Sequence, residues 1–457
     1  MSNDTTRQGV LFKEIARRPV TVRFDQEHSS SDGGSLLLKA CDERLGLSAA
    51  LSGCLRDGRQ AGKVQHKLEE LLRQRLFGIA CGHADGNDAA ALSEDPIHKL
   101  LIDRDPVSGR SLASQPTLSR FENRFGARDL VRMAEALAEA VIRRHRRRKR
   151  SVRRITLDFD PTHDPAHGAQ QLTFFNWTYD TRCYLPLTGF MSFDDEAEQY
   201  LIAYVLRAGN APAKQGLLSV LDRLLPRLQA AFPKARLRIR LDAGFAGKEL
   251  YDYFEAHDLE YVVCLAKNPV LQAWAEPLLE PLRQAVAEGE VPQATFSEFA
   301  YRARSWKRLR RVIIKADIAL HPGRKPKDNP RFLVTNIKGS ARRIYEQIYC
   351  ARGDVENRIK ELKDGLEIDR TSCTTFLANQ FRALITAAAY VLMQELRLQA
   401  RHTSCAGAQV STLRLRLLKL GAWVEQSVRR IVVHLPIHTP HVDAWRRIAR
   451  ALGAIPT

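Results

Sequence analysis

The sequence lacks the signatures of several protein classes. No two of its eight cysteines form a CxxC pair, so zinc ribbons and a secreted disulfide framework find no support. The N-terminal "MSNDTTRQGVLFKEIARRP" has no apolar core of the kind a secretory signal needs. The longest apolar run, "ALITAAAYVLM" at residues 383–393, is too short to cross a bilayer, and no membrane partner is expected. Neither GxGxxG nor a Walker A sequence follows any strand-like stretch, which leaves nucleotide-cofactor readings unsupported. There is no internal repeat. Disorder is excluded by composition, because 44% of residues are hydrophobic, enough for real cores.

What the sequence has in surplus is positive charge. It carries 71 Lys+Arg against 52 Asp+Glu, a net +19. A surplus of that size points to a polyanionic partner, foremost nucleic acid. The expected location is therefore the cytoplasm, with the nucleoid. The charge is uneven: "RRHRRRKRSVRR", residues 143–154, holds nine Lys or Arg and no acid. Such a run is either a solvated linker or a track along a phosphate backbone, with Arg147 as a candidate contact.

Length predicts about three domains, and the texture of the chain divides it further. Residues 1–150 read as a mainly helical DNA-binding region, with apolar residues recurring about every 3.6 positions in "HKLEELLRQRLFGIACG" and "DLVRMAEALAEAVIRRH". "SQPTLSRFENRF" predicts a short helix, capped by Ser114 or Gln115, with Pro116 at its first position. With Ser119 and Arg120 exposed, it is either a recognition helix or a plain surface helix. Residues 151–268 switch to strand alternation, beginning with "RITLDFD", and then to strands alternating with helices. That order predicts a mixed α/β sheet rather than a doubly wound one. Residues 269–340 form a β-rich insertion with basic pieces such as "RARSWKRLRRVIIK". Residues 341–400 return to helix and complete the core, and residues 401–457 read as helical.

Three acidic positions stand out at the ends of elements. In "LDFDPTHD", Asp158 and Asp160 end a strand that Pro161 stops. Being two apart they share one sheet face, so strand parity does not choose between them. In "RLDAGF", Asp242 ends a second strand, and Gly244 permits a tight exit. In "YCARGDVENRIKELK", residues 349–363, Glu356 shares a helical stripe with Lys360 and Lys363, beside an apolar stripe of Val355, Ile359, Leu362 and Leu366. Tyr349 and Arg352 join the first stripe if the helix runs through Gly353. The plain alternative is a solvated Glu356–Lys360 pair worth about 0.3–0.5 kcal/mol. Carboxylates from three elements do suit two hard Mg²⁺ ions of the kind that drive phosphoryl transfer.

These residues also carry a resemblance. Tyr349, Arg352, Glu356 and Lys363 reproduce the Y-(2)-R-(3)-E-(6)-K signature of DDE transposases from bacterial insertion sequences. "DFDPT" resembles that family's first-aspartate motif and "LDAGF" its second. Other segments, including "HGAQQLTFFNWTYDTRCYLPL" and "QPTLSRFENR", extend the resemblance nearly end to end. It implies a ribonuclease-H-like core in which Asp160, Asp242 and Glu356 hold two Mg²⁺ ions, Mn²⁺ also serving. Asp160, two before Thr162, is preferred as first ligand, with Asp158 its rival. It further implies that Tyr349, Arg352 and Lys363 hold the DNA backbone, with Lys360 beside them. Element ends would be cut by hydrolysis, closed through a hairpin and joined to target DNA by a homodimer on double-stranded DNA. Trp306 is the candidate aromatic for a base flipped during hairpin closure. Three other readings remain: a simple nuclease, a non-catalytic DNA-binding protein, and a zinc enzyme built on His163, Asp164 and His167.

Overall fold

The structure is a computed structural model and describes residues 9–13, 17–148 and 151–456. Lys149 and Arg150, inside the basic run, lie outside the described residues.

The N-terminal region is helical, as its apolar spacing predicts. Its main helices are α1 (Leu68–Cys81), α2 (Gln115–Glu122) and α3 (Ala127–Arg148). In α3 the buried Leu130, Met133, Leu137 and Val141 recur at steps of three and four, which turns one face inward. In α2, Pro116 stands in the first turn as expected. The Ser114 hydroxyl meets Thr117 Oγ1 at 3.2 Å instead of capping the backbone. Leu118 and Phe121 are buried and Arg120 is exposed, so α2 has one packed and one free face.

The core is an eight-stranded sheet. Its strands are β1 (Arg154–Pro161), β2 (Leu187–Phe193), β3 (Tyr200–Val205), β4 (Arg236–Leu241), β5 (Glu260–Leu265), β6 (Thr295–Tyr301), β7 (Arg310–Ala316) and β8 (Arg331–Thr335). They lie in the order β6-β7-β8-β5-β4-β1-β2-β3. β4 runs parallel to both β1 and β5, and the other pairings are antiparallel. Helices α4 (Leu217–Ala231) and α5 (Lys248–Ala256) connect β3 to β4 and β4 to β5. This is a ribonuclease-H-like mixed sheet between helical N- and C-terminal regions.

Residues 269–340 interrupt the chain order but extend the same sheet. After α6 (Pro269–Ala287), strands β6, β7 and β8 add to the free edge of β5. Ile318–Ala319 and Lys327–Asp328 make a separate small ladder. The C-terminal region departs from a wholly helical reading. Turns over residues 400–409 lead into helical turns from Val410 to Leu418, after which Ala422–Gln426 pairs with Ile431–His434 and with Ser29–Ser30, and helix returns at Val442–Ala451. Gly421 separates the two regimes, and beyond it burial alternates (Ala422 in, Trp423 out, Val424 in), the period of a strand.

The apolar run at residues 383–393 belongs to a longer helix, α8 (Phe376–Gln399), after α7 (Asp354–Leu366). By length and composition α8 suffices to cross a membrane, but 83% of its apolar window is buried inside the protein. Its polar groups also have internal partners. Gln394 Nε2 donates to the Gln199 carbonyl at 2.7 Å, and Arg144 Nε meets Glu395 at 2.5 Å. It is a core helix wrapped by α1, α3 and β3.

Candidate active site

The parallel pairing of β1 and β4 sets the geometry. Arg240 is registered with Asp158, and 240 − 158 = 82. Asp242 and Asp160 are also 82 apart, so both aspartates stand at the same height at the carboxyl ends of adjacent strands. Asp242 caps the turn that follows its strand, with its Oδ1 accepting the Gly244 amide at 2.9 Å. Asp160 is 9% exposed.

The third element is one unbroken helical run. A π-helical turn (Ile344–Tyr349) leads through a 3₁₀ turn (Cys350–Gly353) into α7, and Gly353 keeps helical dihedrals (φ −54°). Tyr349, Arg352, Glu356, Lys360 and Lys363 therefore ride on one continuous element. Val355, Leu362 and Leu366 are buried and Ile359 is packed against the core. That buried stripe seats α7 and leaves Glu356 and Lys360 exposed beside it.

Arg352 joins the elements. Its guanidinium lies 2.7 Å from Asp160 and 3.7 Å from Asp242, while its buried Nε has no hydrogen-bond partner. Burial pushes the Asp160 pKa up from an ordinary 3.8 to about 7; the charges of Asp242 and Glu356 add to the rise and Arg352 opposes it. A buried carboxyl whose ionisation two neighbouring carboxylates oppose sits in a site short of positive charge, which the Arg352 guanidinium partly supplies and a cation would suit. The oxygen-only donors fit a hard ion such as Mg²⁺ or Mn²⁺.

This predicts a pH effect on the metal-free protein. A carboxyl with a raised folded pKa stabilises the fold fully only below its unfolded value, and that contribution fades as pH climbs through about 7. Asp160→Asn, neutral at every pH, should melt above the wild type at pH 8 in chelator and match it near pH 4. Equal melting temperatures at both pH values would mean that Asp160 ionises freely.

The other expected residues fall in varied surroundings. Asp158 is 1% exposed and held in a fork by Arg240, with Nε and an amino nitrogen each 2.7 Å from a carboxylate oxygen. Its partner also donates to the Ile348 carbonyl at 2.9 Å, fastening the Glu356-bearing run to the sheet. Tyr349 is half-buried against Cys264, and burial followed by that thiol raises its phenol pKa. Lys363 Nζ donates to the His163 carbonyl at 2.5 Å and lies 3.7 Å from Asp369.

Trp306 does not sit on a strand face open to DNA. It lies in the β6–β7 connection and is 7% exposed, packed edge-on against Tyr251 and Tyr301 with the Arg310 guanidinium 5.2 Å from its ring. A base has no access to it there. His163, Asp164 and His167 do not converge either. His163 stacks on Tyr179, the buried Asp164 accepts Thr371 Oγ1 at 2.9 Å, and His167 is exposed.

Two features were not read from the sequence. Asp32, His83 and His98 bring potential ligand atoms within 4.8 Å of one another, a cluster that could hold a metal ion. Both imidazole Nε2 atoms lie 2.9 Å from Asp32 Oδ2, and Lys419 Nζ lies 2.7 Å from Oδ1. Burial works to raise the Asp32 pKa, but these three partners outweigh it and hold the carboxyl below its usual range. No short-range spacing links positions 32, 83, 98 and 419, so no sequence signal marks the cluster. The second feature is a groove of about 510 Å³ lined by Arg44, Arg143, Arg144, Arg147, Arg148 and Arg401. It lies between the end of α3, the end of α8 and Arg44. It gives the basic run a concave surface, with Arg147 exposed in it.

Comparison with curated proteins finds no match. The model of the transposase DDE domain group 1 family matches residues 12–457, nearly the whole chain, and the protein belongs to that family.

Proposed function

We propose that the protein is a DNA transposase that binds the ends of its insertion sequence, cuts them with two divalent ions held by Asp160, Asp242 and Glu356, and joins them to target DNA. One observation carries this reading: two aspartates level at the ends of parallel strands, beside a glutamate helix, with a guanidinium bridging the aspartates. Bound Mg²⁺ ions would supply Lewis acidity at the scissile phosphate and lower the pKa of the attacking water.

The chain's own residues do the rest. Asp160 would hold an ion as its carboxylate, since ligation requires the deprotonated form. Arg352, beside both aspartates, would offer its fork to the DNA backbone, where a guanidinium binds phosphate in bidentate fashion. Lys360 presents an exposed ammonium one turn beyond Glu356, and Lys363 anchors the loop after β1. Tyr349 lines the same run. Arg120 and the groove around Arg147 supply sequence-independent contacts to duplex DNA away from the cut. Cutting two ends in concert brings two copies of the chain together on DNA.

The test is a reaction of the purified protein with Mg²⁺ and a duplex carrying the element's terminal sequence and its flank. The reading expects nicked, hairpin-ended and joined products, all lost in chelator. Nicked product alone would leave a metal-dependent nuclease. DNA binding with no Mg²⁺-dependent product would leave a non-catalytic DNA-binding protein.

A further inference from the structure

Trp177 is 88% exposed. An indole carries a large apolar area, and leaving it in water forgoes the stabilisation its burial would give. It stands in the tight connection between strands Phe174–Asn176 and Thr181–Tyr184. Phe175 and Trp177, two apart, face the same way, with ring centroids 4.8 Å apart in an edge-to-face pair. Phe175 is itself 44% exposed.

This hairpin is fastened, not a loose flap. Asn176 Nδ2 donates to the Gly209 carbonyl at 3.0 Å, and Asn176 Oδ1 accepts the Thr178 amide at 3.0 Å. Gly209 lies so close that a Cβ on it would stand 2.0 Å from the Cys183 carbonyl oxygen. On the other side of the tip, Tyr179 stacks on His163, with centroids 4.5 Å apart and planes 19° apart. His163 comes three residues after Asp160, and its carbonyl receives Lys363 from the Glu356 helix. The Tyr179 phenol, raised in pKa first by burial, also feels the charges of Asp160 and Asp242. The exposed aromatic pair is thus held rigidly at the rim of the carboxylate cleft.

We propose that Trp177, backed by Phe175, is a stacking platform for an unpaired nucleobase of the DNA strand whose phosphate enters the Asp160–Asp242–Glu356 cleft. The proposal rests on the DNA-cleaving reading. Stacking is the chemistry that suits an exposed indole beside a phosphate site: every base has a π-face, so the contact tolerates any sequence. A net charge of +19 favours a polyanion over a second copy of this chain as the occupant.

The probes are a single-stranded oligo-dT of about 20 nucleotides bearing one 2-aminopurine, and a blunt duplex of equal length. With wild-type protein, stacking should quench the 2-aminopurine. Trp177→Ala should lose that quench and bind the single strand about tenfold more weakly, with duplex affinity little changed. Trp177→Phe should recover most of both. Unchanged quench, or equal weakening for both probes, would overturn the platform, as would a change in oligomeric state of DNA-free Trp177→Ala. Glu356→Ala, run alongside, separates the two ideas. If it still cuts DNA, the cleavage reading fails; if it is inactive and Trp177→Ala still quenches, only the platform does.

Discussion

Asp160→Ala, Asp242→Ala and Glu356→Ala should each lower Mg²⁺-dependent DNA cleavage by about 10³-fold or more while leaving duplex affinity within a fewfold of wild type. The size follows from their place. Removing a group that merely orients a metal ligand costs about 10–100-fold, so removing a ligand costs more. Binding survives because affinity for DNA comes mostly from phosphate contacts, and none of the three carboxylates lines the arginine groove. Gel-shift and cleavage assays on one labelled end duplex measure both quantities. A variant that cuts normally removes its residue from the site. One that neither binds nor cuts has lost more than a ligand. Glu356 is the cleanest of the three, since it is exposed and its loss disturbs no packed group.

Asp158→Ala should behave differently: it should fail as a folded protein before it fails as an enzyme. The Asp158–Arg240 pair is buried on both sides. Burial raises the Asp158 pKa and the Arg240 guanidinium opposes that rise. Deleting the carboxylate strands a guanidinium in the core, a loss on the order of 3–5 kcal/mol. The damage reaches the site, because Arg240 also holds the Ile348 carbonyl ahead of the Glu356 helix. Urea unfolding should show a much lower midpoint for Asp158→Ala. The double variant Asp158→Leu/Arg240→Met should recover most of it, since well-packed apolar pairs replace buried ion pairs at little cost. A stable, folded Asp158→Ala that binds DNA but does not cut would instead make Asp158 the first ligand.

That contrast shows how far the sequence could be read. Strand alternation put Asp158 and Asp160 on one face, which is correct and insufficient. What separates them is the residue across the ladder, and register is a tertiary property: Arg240 lies opposite Asp158, while Asp160 reaches the open end. Helical spacing found the buried stripe of α7, because periodicity reports packing directly. It could not say whether Gly353 breaks the run, and the neighbouring turns decide that it does not. Charge count pointed to a polyanionic partner but not to where Arg352 rests, since that depends on three elements meeting. Trp306 was misplaced because a basic strand-like stretch folds as a turn that tucks its indole inward. Trp177 was passed over because exposure is not encoded locally in "FFNWTYD". The C-terminal Ala422–Gln426 strand was read as helix because the leucines before Gly421 continue a helical spacing up to that point.

Anomalous scattering from Mn²⁺ in crystals of the protein with end DNA tests the central claim most directly. The account predicts manganese among Asp160, Asp242 and Glu356, with the Arg352 guanidinium displaced from Asp160 toward a phosphate. Manganese at Asp32, His83 and His98 alone, with Arg352 still on Asp160, would contradict it.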